Sequence, residues 1–254
     1  MSQLSVNNLS LALAFALVLV AVYISNREKL GLTKDIFYSI SRAIVQLVIV
    51  GYILKYIFNV NNVILTAAMS FFIVLNAAYN AHKRNPNDHK SYFNSLLAIF
   101  VSTYVTMGVL VVSGSIRFIP SQIVPISGMI ASNSMVAIGL CYRNLNTLFK
   151  NQRQQVLEKL ALGASMKQAS LPLLHASVKT AMQPTIDSAK TVGLVSLPGM
   201  MSGLIFAGVD PVRAIKYQIM VTFMLLSATS LGSIIAGYRT YKDYYNEKLQ
   251  LRIK

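Results

Sequence analysis

Few side chains in this sequence could make or break bonds, and their placement argues for binding rather than catalysis. His82, His89 and His175 all fall outside the long apolar stretches, where an imidazole is expected to be solvated, and no cluster of His, Glu or Asp lies inside those stretches. The single cysteine, Cys141, permits neither an intrachain disulfide nor a cysteine metal cluster. No Gly-x-x-x-x-Gly-Lys-Ser/Thr phosphate loop occurs, so the chain cannot bind and hydrolyse ATP by that means. What remains is polar and soft. Asn133, flanked by Ser132 and Ser134, offers an amide within an apolar run, either as the wall of a polar pathway or as a helix-to-helix hydrogen bond. Arg42, with Gln46 one helical turn later, suits a buried interhelical bond or an inward-facing vestibule. Asp187 and Lys190, three residues apart, are expected to pair on one helix face. Met129, Met135, Met200, Met201, Met220 and Met224 could present thioethers to a soft ion, although methionine more often fills gaps between helices. No metal ligand is assigned, and the chain is not expected to be an enzyme.

The elements that carry these residues follow from composition. Of 254 residues, 54% are hydrophobic and only 12% are charged, a balance at which a soluble domain would aggregate. Apolar stretches near the roughly 20 residues that a helix needs to cross a bilayer run from Leu9 to Ile24, Ile36 to Phe58, Val63 to Ala81, Phe93 to Ser113, Ile119 to Tyr142, Thr185 to Val209 and Ala214 to Tyr238. An all-α integral membrane protein with about seven transmembrane helices is expected, as one membrane domain over residues 1–254. No Lys or Arg precedes the first stretch, so it reads as a retained span and not as a signal peptide.

Lys and Arg total 23 against 8 acidic residues, and their distribution sets the orientation. Arg27, Lys29 and Lys34, then Lys83, Arg84 and Lys90, then Arg143 through Lys179, and finally Arg239 to Lys254 fall between or after spans on one side. Arg117, Arg213 and Lys216 fall on the other. The N-terminus is therefore expected outside and the C-terminus in the cytoplasm of a multi-pass protein of the cell membrane. The same bias accounts for the basicity without a nucleic-acid partner, so none is expected; the partner of the apolar surface is the lipid bilayer.

A long cytoplasmic insertion, about residues 143–183, separates the fifth and sixth spans. Leu145, Leu148, Phe149, Val156 and Leu160 recur at helical spacing opposite polar residues, so an amphipathic helix should continue the fifth span. Gly163 is a natural stop, and Ser165 followed by Gln168 has the spacing of a capping box that starts a new helix. Pro172 is expected to interrupt that helix early. In the sixth stretch, Gly199, Gly203 and Ala207 form a small-residue ridge, and Pro198 should break the backbone ladder at membrane depth. The Leu197–Met201 segment is therefore a candidate moving part, with a kinked packing helix as the alternative.

Leu157 to Ser165 resembles the Glu-Ala-Ala segment of permeases of ATP-binding-cassette (ABC) importers, with Glu158 one position late. A more specific resemblance covers most of the chain. Leu194-Val195-Ser196-Leu197-Pro198-Gly199-Met200-Met201-Ser202-Gly203, Ala207-Gly208-Val209-Asp210-Pro211, Gly128-Met129-Ile130 with Asn133-Ser134-Met135, Pro184-Thr185-Ile186, and Tyr217-Gln218-Ile219 are similar to the Fet-type iron-export permease family. That family includes plant aluminium-tolerance permeases. Arg42, Gln46, Gly51 and Tyr52 extend the similarity into the second span, while Leu204, Asp187 and Lys190 depart from the family pattern. The resemblance implies a non-catalytic permease subunit of an ABC transporter that exports a metal ion, iron being suspected. It also implies a cytoplasmic nucleotide-binding subunit holding ATP-Mg, a second copy of the chain, and no cofactor on the chain itself. Glu158, Leu162, Gly163, Ala164, Ser165 and Lys167 would couple to the ATPase subunit. Asn133, Ser134, Pro198, Gly199, Met200, Met201, Arg42 and Gln46 would be pathway candidates. A secondary transporter or channel that needs no ATPase, or a membrane scaffold, are the alternatives. Internal inverted repeats, which would favour the former, are not evident.

Overall fold

The computed structural model describes residues 7–60, 62–85, 91–246 and 250–251. His89, Lys90, Lys248, Arg252 and Lys254 lie outside the described residues. Among the described residues the regular elements are all helical and no β-strand forms. Residues 1–61 and 62–254 make separate compact units.

In the first unit, α1 (Asn8–Ala14) and α2 (Ala16–Arg27) are separated by Phe15 alone, and α3 (Thr33–Val60) packs on α2. The tight reversal between them uses Gly31 at φ +70°, and the Thr33 hydroxyl donates to Asn26 Oδ1 at 2.6 Å. Arg42 and Gln46 are exposed on α3, one turn apart.

The second unit contains α4 (Val63–His82), α5 (Ser91–Val112), α6 (Pro120–Asn151), α7 (Arg153–Ala161), α8 (Met166–Thr191), α9 (Gly199–Phe206) and α10 (Pro211–Thr240), followed by a 3-10 turn, Tyr241–Tyr244. The starts are capped as the sequence demands. Asn62 Oδ1 accepts from the Ile64 and Leu65 amides, Asp210 Oδ1 accepts from the Arg213 amide, and Pro120 and Pro211 occupy first-turn positions where the missing N–H costs nothing. Among the described residues six helical segments are long and apolar enough to cross a membrane, counting α1 with α2 as one. Their outer faces remain apolar: Leu47, Tyr52, Ile64 and Val112 are among many large exposed side chains, a surface that only lipid or another chain would cover.

Inside, α4, α5, α6 and α10 approach closely through small residues and short hydroxyls. The Ser102 hydroxyl donates to Ser134 Oγ, which donates onward to the Ala228 carbonyl, and the Ser95 and Tyr142 hydroxyls lie 3.0 Å apart. Such contacts are how helices associate where water supplies no hydrophobic drive. α6 and α10 run in the same direction. Ile123 and Ile126 of α6 pack with Val221 and Met224 of α10 at one end, and Leu145 and Phe149 pack with Tyr241 and Tyr244 at the other. α8 runs against them, and together with α9 it returns the chain to the end where α10 begins.

Two expectations are corrected. The stretch from Thr185 to Val209 is not one spanning helix. α8 ends at Thr191, residues 192–198 form a turn closed by a Val192–Ser196 bridge, and α9 has only 8 residues before Gly208 reverses the chain at φ +86°. The Leu197-Pro198 break sought in the sequence is thus a full interruption. Conversely, Pro172 does not end its helix: α8 continues for 26 residues through both Pro172 and Pro184. Both prolines are exposed, so the carbonyls they leave unpaired one turn earlier need not be stranded in the core.

At the α7 end, Phe149 stacks on Tyr244 with ring centroids 4.2 Å apart, and the Tyr245 and Ser170 hydroxyls meet at 2.7 Å. Val156 and Leu173 complete this hub, which fixes α7 and the start of α8 to α6 and α10. Burial raises the Tyr245 phenol above its ordinary range, and the Ser170 hydrogen bond opposes this in part. A raised acid favours the neutral form in the folded state. Its contribution is whole below the unfolded value of about 10 and is lost as pH rises through the folded one. Protection of α7 amides from hydrogen exchange is therefore expected to fall, as pH rises above about 10, more steeply in the native chain than in Tyr245→Phe. That variant should start about 1 kcal/mol weaker from the lost hydrogen bond.

Candidate functional site

Two features stand out, one at each end of α8. The first is the α7–α8 turn. Gly163 takes φ +87°, its amide donates to the Leu160 carbonyl and the Ala164 amide donates to the Lys159 carbonyl, both at 3.0 Å, which closes α7 in a Schellman turn. The Ser165 and Gln168 side chains and backbones then reciprocate in the expected capping box. The chain thus reverses between two helices with its end groups satisfied locally, a stiff arrangement rather than a loose loop. Leu162 projects from the apex with 88% of its surface exposed. Glu158, Ser165 and Lys167 are exposed around it, Ala164 is half-buried, and Glu158 is steadied by the Gln154 amide at 3.2 Å. The turn brings all six coupling candidates together. A large apolar side chain this exposed on a hairpin whose end groups are satisfied is a candidate contact surface.

The second feature is a cleft between α6, α8, α9 and α10. Its larger part, about 240 Å³, is bordered by Met129, Ser188, Pro198, Met200, Gln218 and Thr222 among others. An adjoining part of about 120 Å³ is bordered by Asn133 and Pro184, and the two share Thr185, Ser188 and Leu225. Of the pathway candidates, Asn133, Pro198, Gly199 and Met200 border this cleft. Ser134, next to Asn133 in sequence, is rotated into the α5–α10 contact described above, and Met201 is buried without lining the cleft. Arg42 and Gln46 belong to the first unit. The Asn133 amide donates at 2.8 Å to the Met129 carbonyl of its own helix rather than across helices. Asp187 and Lys190 pair at 3.5 Å on an exposed face, with Gln183 also donating to Asp187 Oδ1 at 2.9 Å. Exposed as they are, these contacts contribute little stability.

The cleft is chemically neutral. Among the described residues no group of three or more His, Cys, Asp or Glu could hold a metal ion. His175 is exposed, and His82 is half-buried with its ring edge-on to Tyr92. Of the six candidate methionines, Met129 and Met200 reach the cleft, while Met224 is core. At the end of α4, Arg84 lies across the backbone of Gly139, where an added Cβ would come within 2.6 Å of its Cδ. Burial lowers the Arg84 pKa first, and the nearby Arg143 charge second.

The sequence profile of the uncharacterised protein family UPF0014 matches residues 8–245. The chain belongs to that family. The probable iron export permease protein FetB of Escherichia coli (strain K12) is 59% identical over 251 residues, 99% of this chain and 97% of that protein. Protein ALUMINUM SENSITIVE 3 of Arabidopsis thaliana is 35% identical over 95% of this chain and 88% of its own length. UPF0014 membrane protein STAR2 of Oryza sativa subsp. japonica is 35% identical over 94% and 84%. No solved structure matches. The resemblance read from the Leu-Pro-Gly-Met-Met stretch and its companions is therefore a family relationship spanning the chain, and this UPF0014 member is a multi-span helical membrane protein.

One residue of the UPF0014 cleft escaped the sequence reading. Gln218 stood there only as part of a resembling tripeptide, yet it is 7% exposed, borders the larger part of the cleft, and its Oε1 has no hydrogen-bond partner in the protein. A glutamine flanked by Tyr217 and Ile219 near the start of an apolar stretch was the available signal. Its helix face relative to Met129 and Ser188 was not legible from spacing alone.

Proposed function

We propose that this chain is the membrane-spanning permease subunit of an ABC transporter that exports a metal ion, iron before others, from the cytoplasm across the cell membrane. A separate cytoplasmic subunit binds ATP-Mg and hydrolyses it. Two copies of the chain form the pathway, and the chain itself holds no cofactor. The observation that carries this reading is α8, which connects the two candidate features. Its 26 residues make a helix of about 39 Å, and Thr185 at the cleft lies about 30 Å along it from the stiff turn at Gly163–Ser165. A push on Leu162 would be transmitted along a continuous helix to the interrupted segment at 192–198. Broken backbone at that depth is tolerated where it lines a cavity, and it is the natural place for the cleft to open and close. The name of the Escherichia coli relative, a probable iron export permease, supports the transport reading and the choice of iron.

In this mechanism closure of the nucleotide-binding subunits around ATP moves the α7–α8 turn, α8 shifts against α6 and α10, and the cleft exchanges access between the two sides. Purification of the tagged chain in detergent from its native membrane is expected to bring down a nucleotide-binding subunit with ATPase activity. Leu162→Asp is expected to lower that recovery at least ten-fold while the chain still inserts. Iron transport by the chain reconstituted with no ATPase present would instead establish a secondary transporter, and the turn would then need another role.

A further inference from the structure

We propose that Arg84 and Arg143 form a binding site for the phosphate of an anionic phospholipid, on the membrane surface where α4 and α6 leave the apolar zone. The inference goes beyond the transport reading and uses only the multi-span membrane architecture. Its basis is the way α6 holds two guanidinium groups side by side. The stem of Arg84 lies across Gly139 so closely that an added Cβ would come 2.6 Å from its Cδ and 3.5 Å from its Nη1. The glycine leaves that passage open. Arg143 follows one turn later on the same face of α6, and helical side chains lean toward the N-terminus, so it reaches back over the turn that Arg84 crosses. Burial of Arg84 first, and the closeness of the Arg143 charge second, hold the Arg84 pKa below its ordinary value.

Such a pair calls for an anion. An arginine cannot shed its proton in a protein, so two guanidinium groups held together relieve their repulsion by binding negative charge. The described acids of this unit are engaged elsewhere: Glu158 accepts from Gln154, Asp187 pairs with Lys190, Asp210 caps α10 and Asp243 accepts from Asn94. Neither arginine has a hydrogen-bond or ion-pair partner among the described residues. Two planar forks of N–H donors match the oxygens of one phosphate group. The surroundings point to the source of that phosphate. α4 ends at His82 and the apolar run of α6 ends at Tyr142, so both arginines stand one or two residues beyond the spanning segments. Tyr79 and Tyr92 are exposed beside them, Lys83 turns back over the Tyr79 ring at 4.4 Å, and Tyr92 meets His82 edge-on. Tyrosines and lysines so placed mark the headgroup layer, where basic recesses between helices take anionic lipid heads.

The test uses the full chain purified in detergent, with phosphatidylglycerol and phosphatidylcholine as probes and native mass spectrometry as the readout. The native chain is expected to retain phosphatidylglycerol at least five-fold over phosphatidylcholine. Arg84→Gln and Arg143→Gln should each lower that preference at least three-fold. Gly139→Ala should lower it several-fold by displacing the Arg84 stem with no change of charge. Lys150→Gln, which removes an exposed charge farther along α6, should leave it unchanged. Absence of any preference in the native chain overturns the proposal without recourse to a variant. So does an equal loss in Lys150→Gln, which would mean a general attraction to basic surface, or an unchanged preference in an Arg84→Gln chain with native circular dichroism. Inorganic phosphate forms the second arm. Failure of millimolar phosphate to displace the lipid or to raise the unfolding temperature supports the lipid assignment, whereas displacement with equal thermal stabilisation assigns the arginines to a soluble phosphate and overturns it.

Discussion

A Gly163→Val chain is expected to reach the membrane and keep its helices but to lose at least ten-fold in ATPase coupling, whereas Gly163→Asn should retain most of it. The reason is local. Gly163 sits at φ +87° with nothing within 4 Å of where a Cβ would be, so space is not the obstacle; backbone conformation is. An L-residue in this left-handed region costs about 1–2 kcal/mol, more for a β-branched side chain, while asparagine visits it with less strain. If valine twists the turn out of that region, the Leu160 and Lys159 carbonyls lose their partners and Leu162 leaves its fixed position. The hub around Val156 and Phe149 lies a turn or more away and holds α7 in place, so insertion and folding should survive. ATPase stimulation by the purified assembly, compared at equal recovery of the chain, is the measurement. Equal coupling in the valine and native chains would mean that the turn is not the contact that transmits ATP hydrolysis.

Gly237→Leu is expected to have the largest effect on stability itself. At this point α10 crosses α8 and α6 so closely that a Cβ would stand 2.8 Å from Leu174 Cδ1 and 3.4 Å from Cys141 Sγ. Leu174 and Cys141 are both buried, so neither can yield without disturbing its neighbours. Overpacking of this kind costs about 1–3 kcal/mol for small additions, and a leucine should exceed that range. Gly237→Ala should lower the midpoint of thermal unfolding by several degrees, and Gly232→Ala, whose nearest neighbour is at 3.4 Å, should lower it less. Gly203→Ala meets nothing within 4 Å in the chain and should leave the isolated subunit unchanged. Because the protein has no tryptophan, unfolding is best followed by circular dichroism in detergent. A destabilisation by Gly203→Ala as large as that by Gly237→Ala would show that the small residues of α9 are packed against a second copy of the chain.

What the sequence determined by itself is what depends on neighbours along the chain. The apolar runs from Val63 to Ala81 and from Phe93 to Ser113 became α4 and α5 nearly as read, because burial of a helix in a bilayer requires only length and composition. Gly163 and the Ser165–Gln168 pair announced their turn because a left-handed residue and a capping box are satisfied within a few residues. The pairing of Asp187 with Lys190 followed from helical spacing for the same reason. The tertiary structure decided the rest. Pro172 reads as a helix stop, yet α8 runs through it because the helix is held on its inner face by Leu173 and Leu174 while the proline faces outward. The stretch from Thr185 to Val209 reads as a span, yet it folds as two helices around a turn. Asn133 and Ser134 were indistinguishable as neighbours in an apolar run, and only the packing of α6 against α5, α8 and α10 turned one to the cleft and the other into a helix contact. Gln218 was hidden for the same reason. Which face of a buried helix meets a cavity depends on the rotation of each helix against its partners, and in a helix apolar on every side no periodicity records it.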